Sequence, residues 1–189
     1  MKLNETPLRS ITRYEGVVID VRLDLAKLPD GSTALREVVE HPGGVAVLPL
    51  EADGTVWCVR QFRYPFGEQL LEIPAGRLEP GEAPEDAARR ELKEETGLTA
   101  DTLTPLGRQY ATPGYCGEVL HVYLARGLHR GEAHLDPGEF LNVEMHTLDE
   151  LVELALTDRL PDVKTAVAVL KTKLLTTAAS ETKSEQRDE

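Results

Sequence analysis

Cysteine, aromatic residues and long apolar runs are scarce in this sequence, and each scarcity excludes a class of protein. Two cysteines occur in 189 residues, and aromatic residues make up 5%. Cys58 and Cys116 lie too far apart for a disulfide framework or a zinc-ligand pattern, so we expect two free thiols. No stretch approaches the roughly 18 consecutive apolar residues of a membrane helix, and residues 1–13 have no signal-peptide pattern. We therefore expect a cytoplasmic protein without a membrane partner.

Positive charge is also in deficit. Asp and Glu number 33 against 21 Lys and Arg, which gives a formal net charge of −12. Such a balance repels a polyphosphate backbone, so we expect no nucleic acid partner. A small anionic substrate stays compatible with this charge if bound cations invert the sign of the local field.

Turn residues and hydrophobic patterning divide the chain into three parts. Residues 1–43 contain short alternating runs broken by turn residues, and predict an N-terminal strand region that serves as a dimerisation element. Residues 44–175 alternate strand and helix patterns and predict the main domain. Residues 176–189 are charged, rich in Ser and Thr and without aromatics, and predict a disordered tail.

Capping residues predict three helices in the main domain. The first begins near Pro84, a residue favoured in a first helical turn, and stops at Gly97. Thr147 and Glu150 form a capping box for the second helix. Asp162 can cap the third. The expected apolar face of this last helix consists of Val163, Val167, Leu170 and Leu174.

The most informative segment is GRLEPGEAPEDAARRELKEETGL, residues 76–98. In the predicted helix, Glu91, Glu94 and Glu95 fall on one face within an arc of roughly 100°. Three like charges on one face are costly unless a cation neutralises them, and hard divalent cations prefer oxygen ligands. Glu82 adds a carboxylate near the positively polarised helix N-terminus. The segment predicts a magnesium site, although a glutamate-rich helix end alone is most often a solvated surface.

The complete pattern resembles the signature of Nudix hydrolases, GX5EX7REUXEEXGU, where U is a bulky aliphatic residue. Every defined position is matched, by Gly76, Glu82, Arg90, Glu91, Leu92, Glu94, Glu95, Gly97 and Leu98. The resemblance implies an α/β fold, the Nudix α/β/α sandwich with a mixed sheet, here preceded by N-terminal antiparallel strands. It also implies an enzyme in which water cleaves the pyrophosphate linkage of a nucleoside diphosphate derivative, with Mg²⁺ as cofactor and Mn²⁺ as an alternative.

The resemblance also implies roles for residues of the motif. The implied metal-binding set comprises Ala75, Glu82, Glu91, Glu94 and Glu95. Glu91 and Glu95 are its principal members and count as catalytic residues, while Ala75 contributes its carbonyl oxygen. Independently of the family, Arg90 can reach Glu94 across one helical turn and hold the cluster in place.

The flanking segments resemble those of one Nudix subfamily, the ADP-ribose pyrophosphatases, over roughly residues 14–175. The implied reaction is hydrolysis of ADP-ribose to AMP and ribose 5-phosphate. The alternatives within the same chemistry are another nucleotide sugar, such as GDP-mannose, and a broad range of nucleoside diphosphate derivatives. An alternative of a different class is a non-catalytic sensor that binds ADP-ribose, which the intact glutamate set disfavours.

Outside the motif, the subfamily resemblance implies several substrate-binding residues. Arg63 is expected to contact substrate phosphate or ribose, and Glu72 to lie in the binding cleft. Pro113 and Glu118 belong to a loop near the substrate. Arg36 resembles a residue that enters the neighbouring subunit's site, so a homodimer is expected.

The subfamily places its catalytic base, a glutamate, on a mobile loop before the C-terminal helices. Residues 136–141, DPGEFL, resemble that loop. Glu139 is the expected base. Asp136 and Glu144 are its competitors, and a solvated loop glutamate is the remaining alternative.

Overall fold

The computed structural model describes residues 2–185, with side chains described through residue 178. The chain forms two compact units. One consists of Met1–Gly43 and Tyr110–Val119, and the other of Gly44–Gln109 and Leu120–Glu189. Residues 110–119 therefore group with the N-terminal strands rather than with their neighbours in the sequence.

The first unit is built on an antiparallel sheet in the order β1-β2-β3. Its strands are β1 Thr6–Glu15, β2 Asp20–Lys27 and β3 Thr33–Glu40. The segment 110–119 pairs with β3, because the Val39 N–H donates to the Tyr115 carbonyl at 2.8 Å and the Gly117 N–H donates to the Val39 carbonyl at 2.9 Å. The expected N-terminal antiparallel strands are confirmed. We did not expect β1, since this edge strand is almost entirely exposed and so lacks the apolar alternation of a half-buried strand.

The second unit contains two sheets and the three helices. A mixed sheet has the order β7-β4-β9-β8, in which β4 and β9 run parallel, and an antiparallel sheet has the order β10-β5-β6. The strands are β4 Gly44–Pro49, β5 Thr55–Arg63, β6 Glu68–Glu72, β7 Ala75–Arg77, β8 Leu98–Gln109, β9 Leu120–Arg130 and β10 Leu141–Thr147. The helices are α1 Pro84–Thr96, α2 Leu148–Leu156 and α3 Val163–Glu185.

Strand β4 lies at the centre of the second unit, and all six of its residues are buried. Val45 and Val47 join a cluster with the apolar residues of α1. Ala46 and Leu48 face the opposite way and join a cluster with residues of α2, α3 and the antiparallel sheet. Because alternate strand residues point to opposite faces, this one apolar run fills both cores. Helices thus cover the mixed sheet on both sides, as expected for the α/β/α sandwich.

The predicted limits of α1 and the predicted cap of α2 agree with the structure. Helix α1 begins at Pro84. Gly97 caps its C-terminal end, with a φ of 72° and an N–H that donates to the Lys93 carbonyl. Both hydrogen bonds of the Thr147–Glu150 capping box are present. These signals act within a few residues of the chain, so they can be read from the sequence. Within residues 2–185, no helix is long and apolar enough to span a membrane, and both cysteines are free.

Two expectations for the C-terminal helix were wrong. Val163, Val167 and Leu174, which we expected to face the core, are exposed. Among residues 163–178, whose side chains the structure describes, the buried ones are Lys164, Thr165, Ala168, Val169 and Thr172. The apolar pattern misled because Lys164 and Thr165 find buried polar partners in the neighbouring strand segment.

The second error concerns the expected disordered tail. Helix α3 continues through Glu185, so the described part of residues 176–189 is helical. This stretch contains Ala, Lys and Glu, which favour helices, and no Gly or Pro that would end one. Residues 186–189 lie outside the described chain.

Candidate active site

Helix α1 carries Glu91 and Glu95 into the protein. The same helix face buries Ala87, Ala88 and Leu92 in the core with β4. Glu91 is 8% exposed and Glu95 is 3% exposed, which is unusual for carboxylates. Since burial removes water from a charged group, this position is unfavourable for the ionised forms unless positive charge is supplied.

The pKa values show how costly the two charges are. Burial raises the pKa of Glu95 to about 8, the N–H of Ala75 opposes the rise, and the carboxylates of Glu91 and Glu139 add to it. Burial likewise raises the pKa of Glu91, against the lowering effect of Arg90. A strongly raised pKa in a cluster of like charges is typical of a functional site.

Arg90 supplies one positive charge to the cluster. Its Nε and Nη2 donate to the two oxygens of Glu82 at 2.9 and 3.0 Å. Its Nη1 donates to Glu91 at 2.7 Å and to Glu94 at 2.9 Å, so the contact expected across one helical turn is present. The Glu82 contacts of Arg90 lower the pKa of Glu82. Three carboxylates thus share a single guanidinium, and Glu95 adds a fourth carboxylate that Arg90 does not contact.

Strand β7 lies directly against the two buried carboxylates. The Ala75 N–H donates to Glu95 Oε2 at 3.0 Å. A β-carbon at Gly76 would overlap the Glu91 carboxylate, so only glycine fits this position without displacing Glu91. The signature glycine therefore permits close approach between backbone and acid.

This donor set fits a hard divalent cation. Among residues 2–185, no cluster of three or more His, Cys, Asp or Glu side chains has the geometry to hold a metal ion as it stands. The two buried carboxylates nevertheless have the chemistry that Mg²⁺ prefers, and because burial raises their pKa values, a cation beside them would stabilise their ionised forms. The ligand set inferred from the sequence thus remains a proposal that this geometry supports.

Glu139 lies on the loop between β9 and β10. Its N–H donates to the Asp136 carbonyl at 3.0 Å, and Gly138 has a φ of 92°. Its charge contributes to the raised pKa values of Glu91 and Glu95, so it lies close enough to interact with both. The loop and the second half of α1 border a cleft of about 520 Å³. Its lining residues are Arg90, Lys93, Glu94, His134, Leu135 and Asp136.

Glu144, a competitor for the role of base, is held elsewhere. It lies in β10 and accepts hydrogen bonds from Nε and Nη2 of Arg60 at 2.5 and 3.0 Å. His146 contacts it at 3.2 Å. The hydrogen bonds from Arg60 lower the pKa of Glu144. A carboxylate stabilised in its charged form by a bidentate arginine is a weak proton acceptor.

Arg63 and Glu72 form a second charged group. Arg63 donates from Nε and Nη2 to the two oxygens of Glu72, each at 2.6 Å. Glu72 is 1% exposed, and it also accepts a hydrogen bond from Lys164. Burial acts to raise the pKa of Glu72, but the contacts with Arg63 and Lys164 outweigh it and hold this pKa below its ordinary value. The charge of Glu95 contributes to the raised pKa of Arg63, which links this group to the carboxylates of α1.

We did not expect a role for Lys164 from the sequence. A signal was present, because a lysine in the first turn of a helix opposes the helix dipole and suggests a specific partner. Lys164 occupies that position in α3, where its Nζ contacts both Glu72 and Asp162. The partner could not have been identified from the sequence, since Glu72 lies 92 residues away.

Three expected substrate-binding residues lie in the first unit. Arg36 in β3 forms a bidentate pair with Glu5, at 2.9 and 2.7 Å. Glu118 lies 3.6 Å from His41. Pro113 belongs to a turn in which the Cys116 N–H donates to the Thr112 carbonyl. Their role in binding stays a prediction.

Known proteins resemble this chain in sequence and in fold. The NUDIX domain model matches residues 40–167. An ADP-ribose pyrophosphatase of Bacillus subtilis (strain 168) is 41% identical over 169 residues, which cover 88% of this chain and 91% of that protein. A methanol dehydrogenase activator of Bacillus methanolicus is 38% identical over 167 residues, covering 87% and 90%.

A solved structure shares the fold. The crystal structure of an ADP compounds hydrolase superposes with a TM-score of 0.83 at 22% identity, and the match covers 95% of this chain and 98% of that one. The mixed α/β architecture agrees with this match. Because the NUDIX domain model covers more than half of the chain and the signature residues assemble around two buried glutamates, this chain belongs to the Nudix family.

Proposed function

We propose that this protein is a Mg²⁺-dependent pyrophosphohydrolase that converts ADP-ribose and water to AMP and ribose 5-phosphate. The observation that carries the proposal is the buried pair Glu91 and Glu95, which lies against β7 and interacts with the charge of Glu139. The substrate assignment is supported by the Bacillus subtilis relative named ADP-ribose pyrophosphatase, at 41% identity over most of both chains.

The metal would be held by oxygen atoms around the end of β7. Glu91, Glu95 and the Ala75 carbonyl would supply the ligands, with Glu94 and Glu82 in support. When bound, Mg²⁺ offsets the negative charge of the pyrophosphate oxygens and acidifies water that it coordinates. Arg90 keeps three of the glutamates in place through its hydrogen bonds.

Glu139 acts as the general base. It takes a proton from the attacking water, whose oxygen forms a bond to the adenosine-side phosphorus. The bond from that phosphorus to the bridging oxygen breaks, and the bridging oxygen leaves with ribose 5-phosphate. An exposed loop position lets Glu139 approach substrate, whereas Glu144 is tied to Arg60.

Arg63 binds the anionic substrate. Its Nε and Nη2 are used by Glu72, and within the described residues no acceptor occupies its Nη1. This donor is therefore available to a phosphate or ribose oxygen. Pro113 and Glu118 belong to a loop near the substrate, as the subfamily resemblance implies.

The active form is proposed to be a homodimer in which Arg36 reaches the neighbouring subunit's site. Leu8, Tyr14 and Leu35 of the N-terminal sheet are exposed and supply apolar surface for association. The proposed homodimer rests on the subfamily resemblance.

A substrate panel tests the proposed reaction. ADP-ribose, GDP-mannose and a diadenosine polyphosphate are incubated with enzyme and Mg²⁺, and the products are separated by chromatography. We expect the highest kcat/KM for ADP-ribose, and ¹⁸O from labelled water in AMP rather than in ribose 5-phosphate. Faster cleavage of GDP-mannose would change the substrate assignment. Tight binding of ADP-ribose without turnover would instead indicate a sensor.

A further inference from the structure

The first turn of α3 holds the strand segment that precedes β7 through three polar residues, Asp162, Lys164 and Thr165, which we name the α3 anchor. Thr165 Oγ1 accepts the Ile73 N–H at 2.9 Å and donates to Asp162 at 2.5 Å. Lys164 Nζ donates to Asp162 Oδ1 at 2.9 Å and also to Glu72. Lys164 is 7% exposed and Thr165 is fully buried, so the contacts are shielded from water.

Packing alone does not explain a buried lysine here. Lysine is almost never fully buried without a partner, and replacing a buried ion pair by apolar residues is often neutral or stabilising. The position in the first helical turn adds an unfavourable interaction with the helix dipole. The helix is already capped, since Asp162 accepts the Thr165 N–H at 3.0 Å. Helix capping and packing therefore leave the contact of Lys164 with Glu72 unexplained.

Glu72 connects Lys164 to Arg63. One oxygen of Glu72 accepts from Arg63 alone, and the other accepts from both Arg63 and Lys164. The negative charge of Glu72 is therefore divided between Lys164 and Arg63 instead of being neutralised by Arg63 alone. It also fixes the plane of the Glu72 carboxylate, and with it the direction in which the Arg63 fork presents Nη1.

We propose that Lys164 is a positioning residue that, through Glu72, sets the orientation and the available charge of Arg63 for the anionic substrate. Glu72 then acts on the substrate through Arg63 rather than by direct contact. The inference rests on the proposed function, because it takes Arg63 as a substrate-binding residue. It predicts an effect on substrate binding that depends on the presence of Arg63.

A double-mutant cycle tests this dependence. Lys164→Met, Arg63→Ala and the double variant are compared with wild type by calorimetric titration of ADP-ribose in EDTA and by kinetics with Mg²⁺. We expect Lys164→Met to raise Kd and KM about tenfold while kcat changes less than about threefold. In the Arg63→Ala background the same change should have less than about a twofold effect, because coupled residues are non-additive.

The matched control is Lys173→Met, which removes a lysine of the same helix that is partly exposed and paired with Asp149. It should leave Kd and KM unchanged. If Lys164→Met does not fold, Lys164→Gln takes its place: it removes the positive charge beside Glu72 but keeps a polar end group in this buried site, and its effect should likewise depend on Arg63. Equal effects of the Lys164 change in both backgrounds would overturn the inference while leaving the proposed function intact. If wild type neither binds ADP-ribose in EDTA nor hydrolyses it with Mg²⁺, both are overturned.

Discussion

At the scale of single residues, burial gives ordinary glutamates their chemistry. Glu95 and Glu91 have raised pKa values because water is excluded and neighbouring carboxylates add negative charge. Glu82 and Glu144 have lowered pKa values because each accepts hydrogen bonds from an arginine. A glutamate side chain thus favours cation binding where it is buried, and forms an ion pair where an arginine lies beside it.

Removal of either buried carboxylate should abolish turnover without unfolding the protein. Glu91→Gln and Glu95→Gln keep the shape of the side chain and remove the charge that would hold the metal. We expect kcat/KM to fall at least about a hundredfold, with near-native circular dichroism. Activity within about threefold of wild type, roughly 0.7 kcal/mol of barrier, would exclude the residue from the essential metal set.

The raised pKa of Glu95 predicts how stability changes with pH in EDTA. The folded protein holds a proton on Glu95 up to about pH 8, whereas the unfolded chain releases it near the ordinary value of 4.5. The favourable contribution to stability is therefore present at low pH and is lost as the pH rises through this window, by up to about 1.4 kcal/mol per pH unit.

Urea unfolding of wild type and Glu95→Gln at pH 5.5 and 8 measures this difference. The wild type should lose more stability than the variant between the two pH values, and Mg²⁺ should restore stability at pH 8. Parallel behaviour of the two proteins would show that Glu95 titrates normally.

Replacement of the proposed base should affect the chemical step. Glu139→Gln keeps the loop but cannot take a proton, so we expect kcat to fall by about 10²–10⁴ with little change in ADP-ribose binding. Glu144→Gln is the matched control: the same substitution is made at a glutamate that is bound to Arg60. This variant should retain most activity. Collapse of kcat in Glu144→Gln or Asp136→Asn, with normal kcat in Glu139→Gln, would move the base to another residue.

At the scale of elements, the site forms where strand β7 meets helix α1. The N–H of Ala75 in β7 holds Glu95, and Gly76 leaves space for Glu91. Arg90 on α1 in turn donates to the Arg77 carbonyl of β7 at 3.1 Å. The contacts between β7 and α1 thus hold the two elements in place, and the positions of Glu91 and Glu95 depend on them.

Gly76→Ala should disable the site while leaving the fold intact. The new methyl group would overlap the end of the Glu91 side chain, which is flexible and can move away. We expect a large loss of kcat/KM with a small change in the urea midpoint. Gly54→Ala is the control: no atom lies near the added methyl group, but φ is 90°, so it should cost about 1 kcal/mol of stability and no activity. The opposite pattern in the two variants would contradict this account.

At the scale of the whole molecule, we propose a separate role for the first unit. Its sheet exposes apolar residues, and it contains three of the expected substrate-binding residues, Arg36, Pro113 and Glu118. If Arg36 acts in the partner's site, a subunit cannot complete its own pocket. Oligomeric state and activity should then be linked.

Mixing two inactive variants tests this link. Arg36→Ala lacks the residue donated to the partner, and Glu95→Gln lacks its own metal ligand. In a mixed dimer, the site with intact Glu95 receives Arg36 from its partner. After refolding together, half of the dimers should be mixed with one working site of two, giving about a quarter of wild-type activity. A fully active monomer in sedimentation experiments would rule out the dimer model.

The sequence by itself determined the limits of α1, the cap of α2, the nine signature positions and the common face of Glu91, Glu94 and Glu95. Helix caps and i,i+4 contacts connect residues that are neighbours in the chain, so their physics can be read locally. The Arg90–Glu94 contact is of this kind.

Only the tertiary structure decided which groups are buried and which distant partners they find. The depth of Glu91 and Glu95, the exposed strand β1 and the inward face of α3 depend on elements that pack from elsewhere in the chain. Lys164 and Glu72 meet across 92 residues, and Ala75 and Glu95 meet across 20. A buried polar residue is stable only beside a hydrogen-bonding or charged partner. When that partner is distant in the chain, the sequence does not show why the polar residue can be buried, and only the folded structure does.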